Sequence, residues 1–423
     1  MESHCTAKST LTPLLLTLAL IGTLATGCGS ESTPLSPAEP GKLISHDSIK
    51  TYDSQAFERI RTVDLENFFF RSTMTASDFR GGFPTTYKNV ALYRIAYESV
   101  IPELNNQKVI AYGLVAIPEG ATTGTPILSY QHGAIFEKSA VPSSPDESSE
   151  TRLALLQYAS QGYIVVATDY FGNGPLSSVA NSYLLRRSAE QAMFDMHTAS
   201  LEFLKTKNIQ PGKLFLLGWS QGGYNTMLHF RMLEGANVPV TAVATASGPA
   251  SPFELIARAL YAPRSFDAPW AAPIITNTIF AYESYFGLTG LSKEFIKPSM
   301  YDTARAFYDF KIDATAYLNA GGYLFENVFS PKFFETGKTK SHRFWELLSQ
   351  AESYLWLSKA PLRQYYSNRD EGVPQELGTA GVTYQTSVGK TNATSHNAGD
   401  SADHRSVYIR SLVDTKPWFD SMK

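Results

Sequence analysis

From residue 88 onward, the spacing of apolar positions changes in a regular way. Val90, Leu92, Arg94 and Ala96, and then Val109, Ala111, Gly113 and Val115, follow the period-two pattern of strands and predict an antiparallel pair. Short continuous apolar runs follow at 126–130, 163–168, 213–217 and 240–245. Runs without alternation suit strands buried on both faces, as in a parallel sheet. Helical patterns separate them at 151–160, 188–207 and 222–234. This alternation predicts an α/β fold with a mostly parallel sheet covered by helices.

Residues 251–360 break the pattern. They hold 23 of the chain's 53 aromatic residues, mostly in helix-like stretches such as TARAFYDF and SHRFWELLSQAESYLWL. Strand character returns at 362–366 and 382–388, and a last helix follows His404. The chain therefore reads as a core in two parts, 88–250 and 361–423, with a helical cap at 251–360 inserted between the sixth and seventh strand-like elements. Residues 49–87 form an N-terminal extension. A cap so placed can cover the C-terminal edge of the sheet, where open α/β sheets bind ligands. Most of its aromatics are expected to build its own core, with a few lining the pocket.

The N-terminus has a different character. LTPLLLTLALIGTLAT at 11–26 is apolar but short, and Pro13 and Gly22 interrupt it, so a secretory signal is the better reading than a spanning helix. It ends in Leu24-Ala25-Thr26-Gly27-Cys28, which resembles a bacterial lipobox. The resemblance implies a lipoprotein signal peptide at 1–27, lipidation of Cys28 and anchoring to a bacterial membrane. With Gly29 next, that would be the outer membrane in a Gram-negative source, facing periplasm or exterior. The Ser-, Pro- and Gly-rich stretch after Cys28 reads as a flexible tether over 28–48.

Composition adds mainly exclusions. Thirty-six basic against 39 acidic residues, net charge −3, leave no electrostatic footprint for nucleic acid. Two cysteines, one of them removed with the signal, cannot make a disulfide framework or a cysteine-rich metal site. No HExxH motif or phosphate-binding glycine loop is present, so no metal or cofactor is expected.

The chemistry concentrates in KLFLLGWSQGG, 213–223, where Gly218-x-Ser220-x-Gly222 directly follows a strand and precedes a helix. A serine held in so sharp a turn has its hydroxyl lifted above the sheet, and side chains at 218 and 222 would collide there. A serine hydroxyl becomes a useful nucleophile only when a base takes its proton and a third group orients that base. Beyond the returning strand stand two histidines. His404 precedes a helix and is the expected base, whereas His396 lies in the polar loop TNATSHNAGD and reads as a surface residue. Asp370, just past the strand at 362–366, is the expected acid; Glu371 is the runner-up, and Asp400 and Asp403 are outsiders. Two backbone N–H groups should stabilise an oxyanion, one from Gln221 and the other from Ala134 in the Gln131-His132-Gly133-Ala134 loop. His132, Asp169 and Tyr170 read as residues that order loops.

At these residues the chain resembles an α/β-hydrolase, and within that superfamily the secretory lipase and bacterial lipase-like esterase group. SYQHG, TDYFGNG, NSYL, GWSQGG and the ending SNRDEGVP…DHRSVYIRSL carry the resemblance over roughly 88–250 and 360–423. It implies a Ser220–His404–Asp370 triad, with Gln221 and Ala134 as oxyanion donors. The activity so implied is serine-dependent hydrolysis of carboxylic esters, with a small or lipid-like ester as substrate. The aromatic cap argues for apolar acyl or aryl groups. Peptide hydrolysis on the same triad, and a surface lipoprotein that uses the fold only to bind, are the alternatives.

Overall fold

The computed structural model describes residues 39–423. The expected signal peptide, Cys28 and most of the tether lie outside the described residues. Nine strands form one sheet: β1 (Leu43–Tyr52), β2 (Val90–Ile101), β3 (Gln107–Pro118), β4 (Ile127–Gln131), β5 (Ile164–Thr168), β6 (Leu214–Trp219), β7 (Ala242–Ala246), β8 (Leu362–Tyr366) and β9 (Ala393–Asn397). Their order is β1-β2-β3-β5-β4-β6-β7-β8-β9. The pairs β1–β2, β2–β3 and β3–β5 are antiparallel, and the remaining five are parallel. The mostly parallel, helix-covered sheet expected from the pattern is present.

The continuous apolar runs work as two-faced strands. In β5, Ile164 and Val166 enter one apolar cluster and Val165 and Ala167 the other; in β6, Leu214 and Leu216 part from Phe215 and Leu217 in the same way. The helices Arg186–Thr206 and Gln221–Gly235 cover the first face, and Ser149–Gln157 and His404–Asp420 the second.

Two expectations at the edges are corrected. Residues 382–388 are not a strand; they lie in and just after the helix Ala380–Ser387, and the strand is β9, which contains His396. A parallel neighbour for β8 requires a crossover, and this helix supplies it. Tertiary bonds hold it: Val382 N–H donates to the Gln364 side chain at 2.8 Å, and Gln385 donates to the Trp356 carbonyl at 2.6 Å. Residues 43–48, placed in the tether, belong to β1. Both missed strands are polar and largely exposed edge strands, a common protection against edge-to-edge pairing, so neither shows apolar alternation.

The cap is a run of short helices between β7 and β8. Its aromatic surplus makes a core of its own, in which the fully buried Trp345 meets Phe253, Phe295, Phe333 and Phe344 at ring separations of 4.9–6.3 Å. Tyrosines also tie the cap to the domain beneath. Tyr285 and Tyr308 donate to the carbonyls of Ala180 and Asn181 at 2.6 and 2.8 Å, and core Tyr224 donates to Ala351 at 2.7 Å. A tyrosine serves here because it buries a ring while its hydroxyl satisfies a loop carbonyl.

The 49–87 segment is built into the domain rather than appended to it. Phe57, Leu65 and Phe68 enter the second apolar cluster. Asp64 pairs with Arg152 at 2.5 Å, and Arg405 donates to the Phe68 carbonyl at 2.7 Å. No helix among the described residues is long and apolar enough to cross a membrane.

Candidate active site

Ser220 stands between the end of β6 and the helix Gln221–Gly235, with φ 57° and ψ −125°. Positive φ is strained for a residue with a side chain, so the surroundings must enforce it. They do so through close backbone approach. Ser220 N–H bonds the Ala246 carbonyl at 2.9 Å. A Cβ on Gly218 would overlap the Gly222 carbonyl, and one on Gly222 would overlap the Gln131 carbonyl. One on Gly223 would lie 2.7 Å from the Cα of Gly248. These glycines let β4, β6 and β7 converge on the turn.

The structure brings Asp370 and His404 together. His404 Nδ1 lies 2.9 and 3.0 Å from the two Asp370 oxygens, and both side chains are buried. Asp370 also accepts the N–H groups of Gly372 and Val373, each at 2.8 Å, which fixes its own orientation. Burial works to raise the Asp370 carboxyl, but the His404 charge and the hydrogen bonds to His404 and Val373 outweigh it and hold it below the ordinary carboxylate range. Burial works to lower His404; the Asp370 charge and hydrogen bond, then Glu371 and Asp403, outweigh it and leave the ring above its ordinary 6.5. The other ring nitrogen, Nε2, is buried and makes no hydrogen bond. That nitrogen is available for a proton.

The remaining acids divide by role. Glu371 accepts the backbone N–H of His404 at 2.9 Å, so it holds the main chain rather than the ring. Asp403 caps the helix His404–Asp420 through Ser406 N–H and also takes Thr73 N–H at 2.8 Å. Asp400 pairs only with the Asn397 amide, at 3.3 Å, and is exposed. His396, at the sheet edge, stacks on Tyr365 with ring centres 5.2 Å apart.

Ser220 and His404 line one cavity of about 460 Å³, together with Ala134, Trp219, Trp270, Ile274 and Glu371. A second, narrow and mostly apolar slot starts at Ser220 and Gln221. It runs between the cap helices Pro252–Tyr261 and Ala271–Phe286, past Tyr183, Leu255, Ile256 and Ile275. Gly133 N–H is spent on the Glu150 carboxyl at 2.8 Å, and within 131–134 it is Ala134 that lines the cavity. His132 is buried, stacks on Tyr170 at 4.3 Å and is lowered to about 4 by burial, so it orders the loop as a neutral ring. Asp169, also buried, accepts Ser143 N–H at 2.9 Å and its hydroxyl at 2.6 Å.

Sequence reasoning missed four contributors. Asn67 and Phe68, from the N-terminal segment, wall the cavity. Trp270, from the cap, packs on the His404 ring at 5.2 Å, as Trp219 does at 5.0 Å. Glu150 also lines it, raised to about 7 by burial against hydrogen bonds from Tyr130 and Gly133. Glu150 alone carried a local signal, an acid in the first turn of an apolar helix.

With this geometry in hand, comparison with known proteins places the architecture. The model of the Prolyl oligopeptidase family matches residues 148–234, about a fifth of the chain. No curated protein sequence matches. Among solved structures, a candidate hydrolase from Legionella pneumophila superposes with TM-score 0.79 at 23% identity, covering 90% of this chain and 99% of that one. The rice cell wall degrading esterase LipA from Xanthomonas oryzae gives 0.77 at 19% identity, over 91% of this chain and all of that one. Candida antarctica lipase A gives 0.60 at 15%, over 86% and 78%. At these identities the shared property is the fold, and the chain has the α/β-hydrolase fold. The crowding at the turn yields a paired prediction. Gly222→Ala is expected to abolish the elbow, giving loss of soluble protein or of serine-directed labelling. Gly81→Ala, with nothing within 4 Å of a new Cβ, is expected to leave thermal stability and labelling near wild type.

Proposed function

With the α/β-hydrolase fold as its premise, we propose that this chain is a serine carboxylic ester hydrolase acting on apolar acyl or aryl esters. Ser220 is the nucleophile, His404 the general base and Asp370 its orienting acid. One observation carries this reading: a buried Asp370–His404 pair, with Nε2 unpartnered, in which His404 lines the same cavity as Ser220. Ser220 Oγ attacks the ester carbonyl as His404 takes its proton. The N–H groups of Gln221 and Ala134 stabilise the oxyanion, at roughly 2.7–4 kcal/mol each. The C–O bond to the alcohol then breaks, and His404 returns the proton to the leaving oxygen. Water, deprotonated by the same ring, releases the acid and restores Ser220. The apolar slot between the cap helices suits the acyl group, and the wider, more polar cavity suits the alcohol side.

Peptide hydrolysis on the same residues is the second reading. The Prolyl oligopeptidase match and three further cavity glutamates, Glu137, Glu147 and Glu371, favour it, since such acids can hold a free amine. Rates on p-nitrophenyl esters against aminoacyl-p-nitroanilides separate the two. We further propose export and lipid anchoring through Cys28, which rests on the 24–28 segment.

Ser220→Ala and His404→Ala are each expected to lower kcat by about 10⁴-fold or more with the fold intact, and Asp370→Asn somewhat less. A near-normal Asp370→Asn beside an inactive Glu371→Gln would reverse the acid assignment. The base must be neutral to act and its pKa is raised, so kcat/KM should fall with decreasing pH along a limb above 6.5. Asp370→Asn removes the charge that raises it and should move that limb to lower pH. For the anchor, Cys28→Ser should shift the protein from the membrane fraction to the soluble fraction; unchanged fractionation would count against lipidation.

A further inference from the structure

Glu150 stands in the first turn of the helix Ser149–Gln157, on the wall of the Ser220 cavity. Its Oε1 accepts Gly133 N–H at 2.8 Å and the Tyr130 hydroxyl. Its Oε2 lies 3.4 Å from the point where a Gly133 side chain would begin. The carboxyl therefore grips both ends of the turn that leads to Ala134. Its bonded partners are a neutral phenol and a neutral amide, not a cation.

We propose that Glu150 is a positioning residue for the oxyanion site, that it fixes the Gly133–Ala134 turn, and that its uncharged form is the productive one. The proposal rests on the ester-hydrolase reading above. In acyl transfer a full negative charge develops on the carbonyl oxygen beside this turn. A carboxylate at 150 would repel that charge in a poorly solvated site, whereas a carboxylic acid keeps Oε1 as acceptor for both bonds without the repulsion. Protonated carboxyls used in this way occur where burial disfavours the charge.

The surroundings place the ionisation in the neutral range. Burial raises the group to about 7, opposed by Tyr130, Gly133 and the His404 charge. From β4, Tyr130 is pushed well above 10, as is Tyr408 from the C-terminal helix; Tyr170 is raised as well, so all three stay neutral. His132 stays neutral above about 4. His404 is thus the cation-forming ring that Glu150 feels. Arg405, Glu137, Glu147 and Glu371 complete the charged lining, with one Arg405 nitrogen bonded to the Phe68 carbonyl. A group that works when protonated loses its contribution as pH rises through its pKa. Activity should therefore fall on the alkaline side, while His404 sets the acid side.

The test is the pH profile of p-nitrophenyl butyrate hydrolysis from pH 5 to 9.5 in wild type, Glu150→Gln and Glu150→Leu. Serine-directed fluorophosphonate labelling and thermal melts serve as controls. Wild type should give a bell. Glu150→Gln, neutral at every pH and still an acceptor, should hold a plateau where wild type declines. Its rate relative to wild type should grow about tenfold per pH unit beyond the alkaline limb. Glu150→Leu should lose kcat by about tenfold or more relative to the wild-type optimum, with KM within about twofold and no alkaline decline. Should that variant not fold, the glutamine profile decides alone. An alkaline decline in Glu150→Gln equal to that of wild type, or no decline in wild type, overturns the proposal. So does a glutamine variant as impaired as the leucine one. If wild type labels normally, these outcomes leave the ester-hydrolase reading standing; if wild type does not label, both fall.

Discussion

The backbone at Ser220 is a steric constraint on which the remainder of the site depends. A side chain at φ 57° is held there because three strands and a helix meet with no room for a Cβ at Gly218, Gly222 or Gly223. The same convergence brings the Gln131 carbonyl against Gly222, so the loop after β4 cannot be placed independently of the turn after β6. The proposed nucleophile and oxyanion donors are thus located by one packing event. The bond from Ser220 N–H to Ala246 adds β7 to it, and β7 is the strand from which the cap departs.

Around that centre, buried carboxyls are held by local partners, which ties the loops to one another. Asp169 binds Ser143, Asp403 caps the helix that begins with His404, and Glu371 holds the His404 main chain. Each is a carboxyl receiving backbone or hydroxyl donors, the arrangement that makes burial of a charge tolerable. His404 Nε2 is the exception in the cavity wall. A buried nitrogen without a partner has a cost unless a reacting group supplies one, and here the ring also carries the Asp370 pair and lines the same cavity as Ser220.

The cap's aromatics serve two purposes that composition alone merges. Trp345 and its neighbours form an apolar centre, while Tyr285 and Tyr308 bind the 180–181 carbonyls of the core. A cap fastened in this way presents Trp270 to His404 and encloses the slot that starts at Ser220. The N-terminal segment closes the other side with Asn67 and Phe68. The cavity is therefore assembled from segments far apart in the chain.

Local patterning determined much. Apolar runs flanked by helical periods disclosed the α/β sheet, and a strand–turn–helix around Gly-x-Ser-x-Gly disclosed Ser220. Both features depend on nearest neighbours in sequence, and the order of elements then pointed to Asp370 and His404. Where neighbours did not decide, the reading stopped or failed. Residues 382–388 alternate like a strand, yet they form a helix because β9 must be reached by a crossover. Edge strands β1 and β9 bury too little to show a period. Asp370 and Glu371 are adjacent acids with the same local setting, and only three-dimensional packing gives one the imidazole and the other the backbone N–H. Phe68, Trp270 and Glu150 reach the cavity by long-range packing, whose partners no period along the chain encodes. Sequence set most of the elements and the candidate nucleophile, and tertiary structure decided which carboxyl meets which donor.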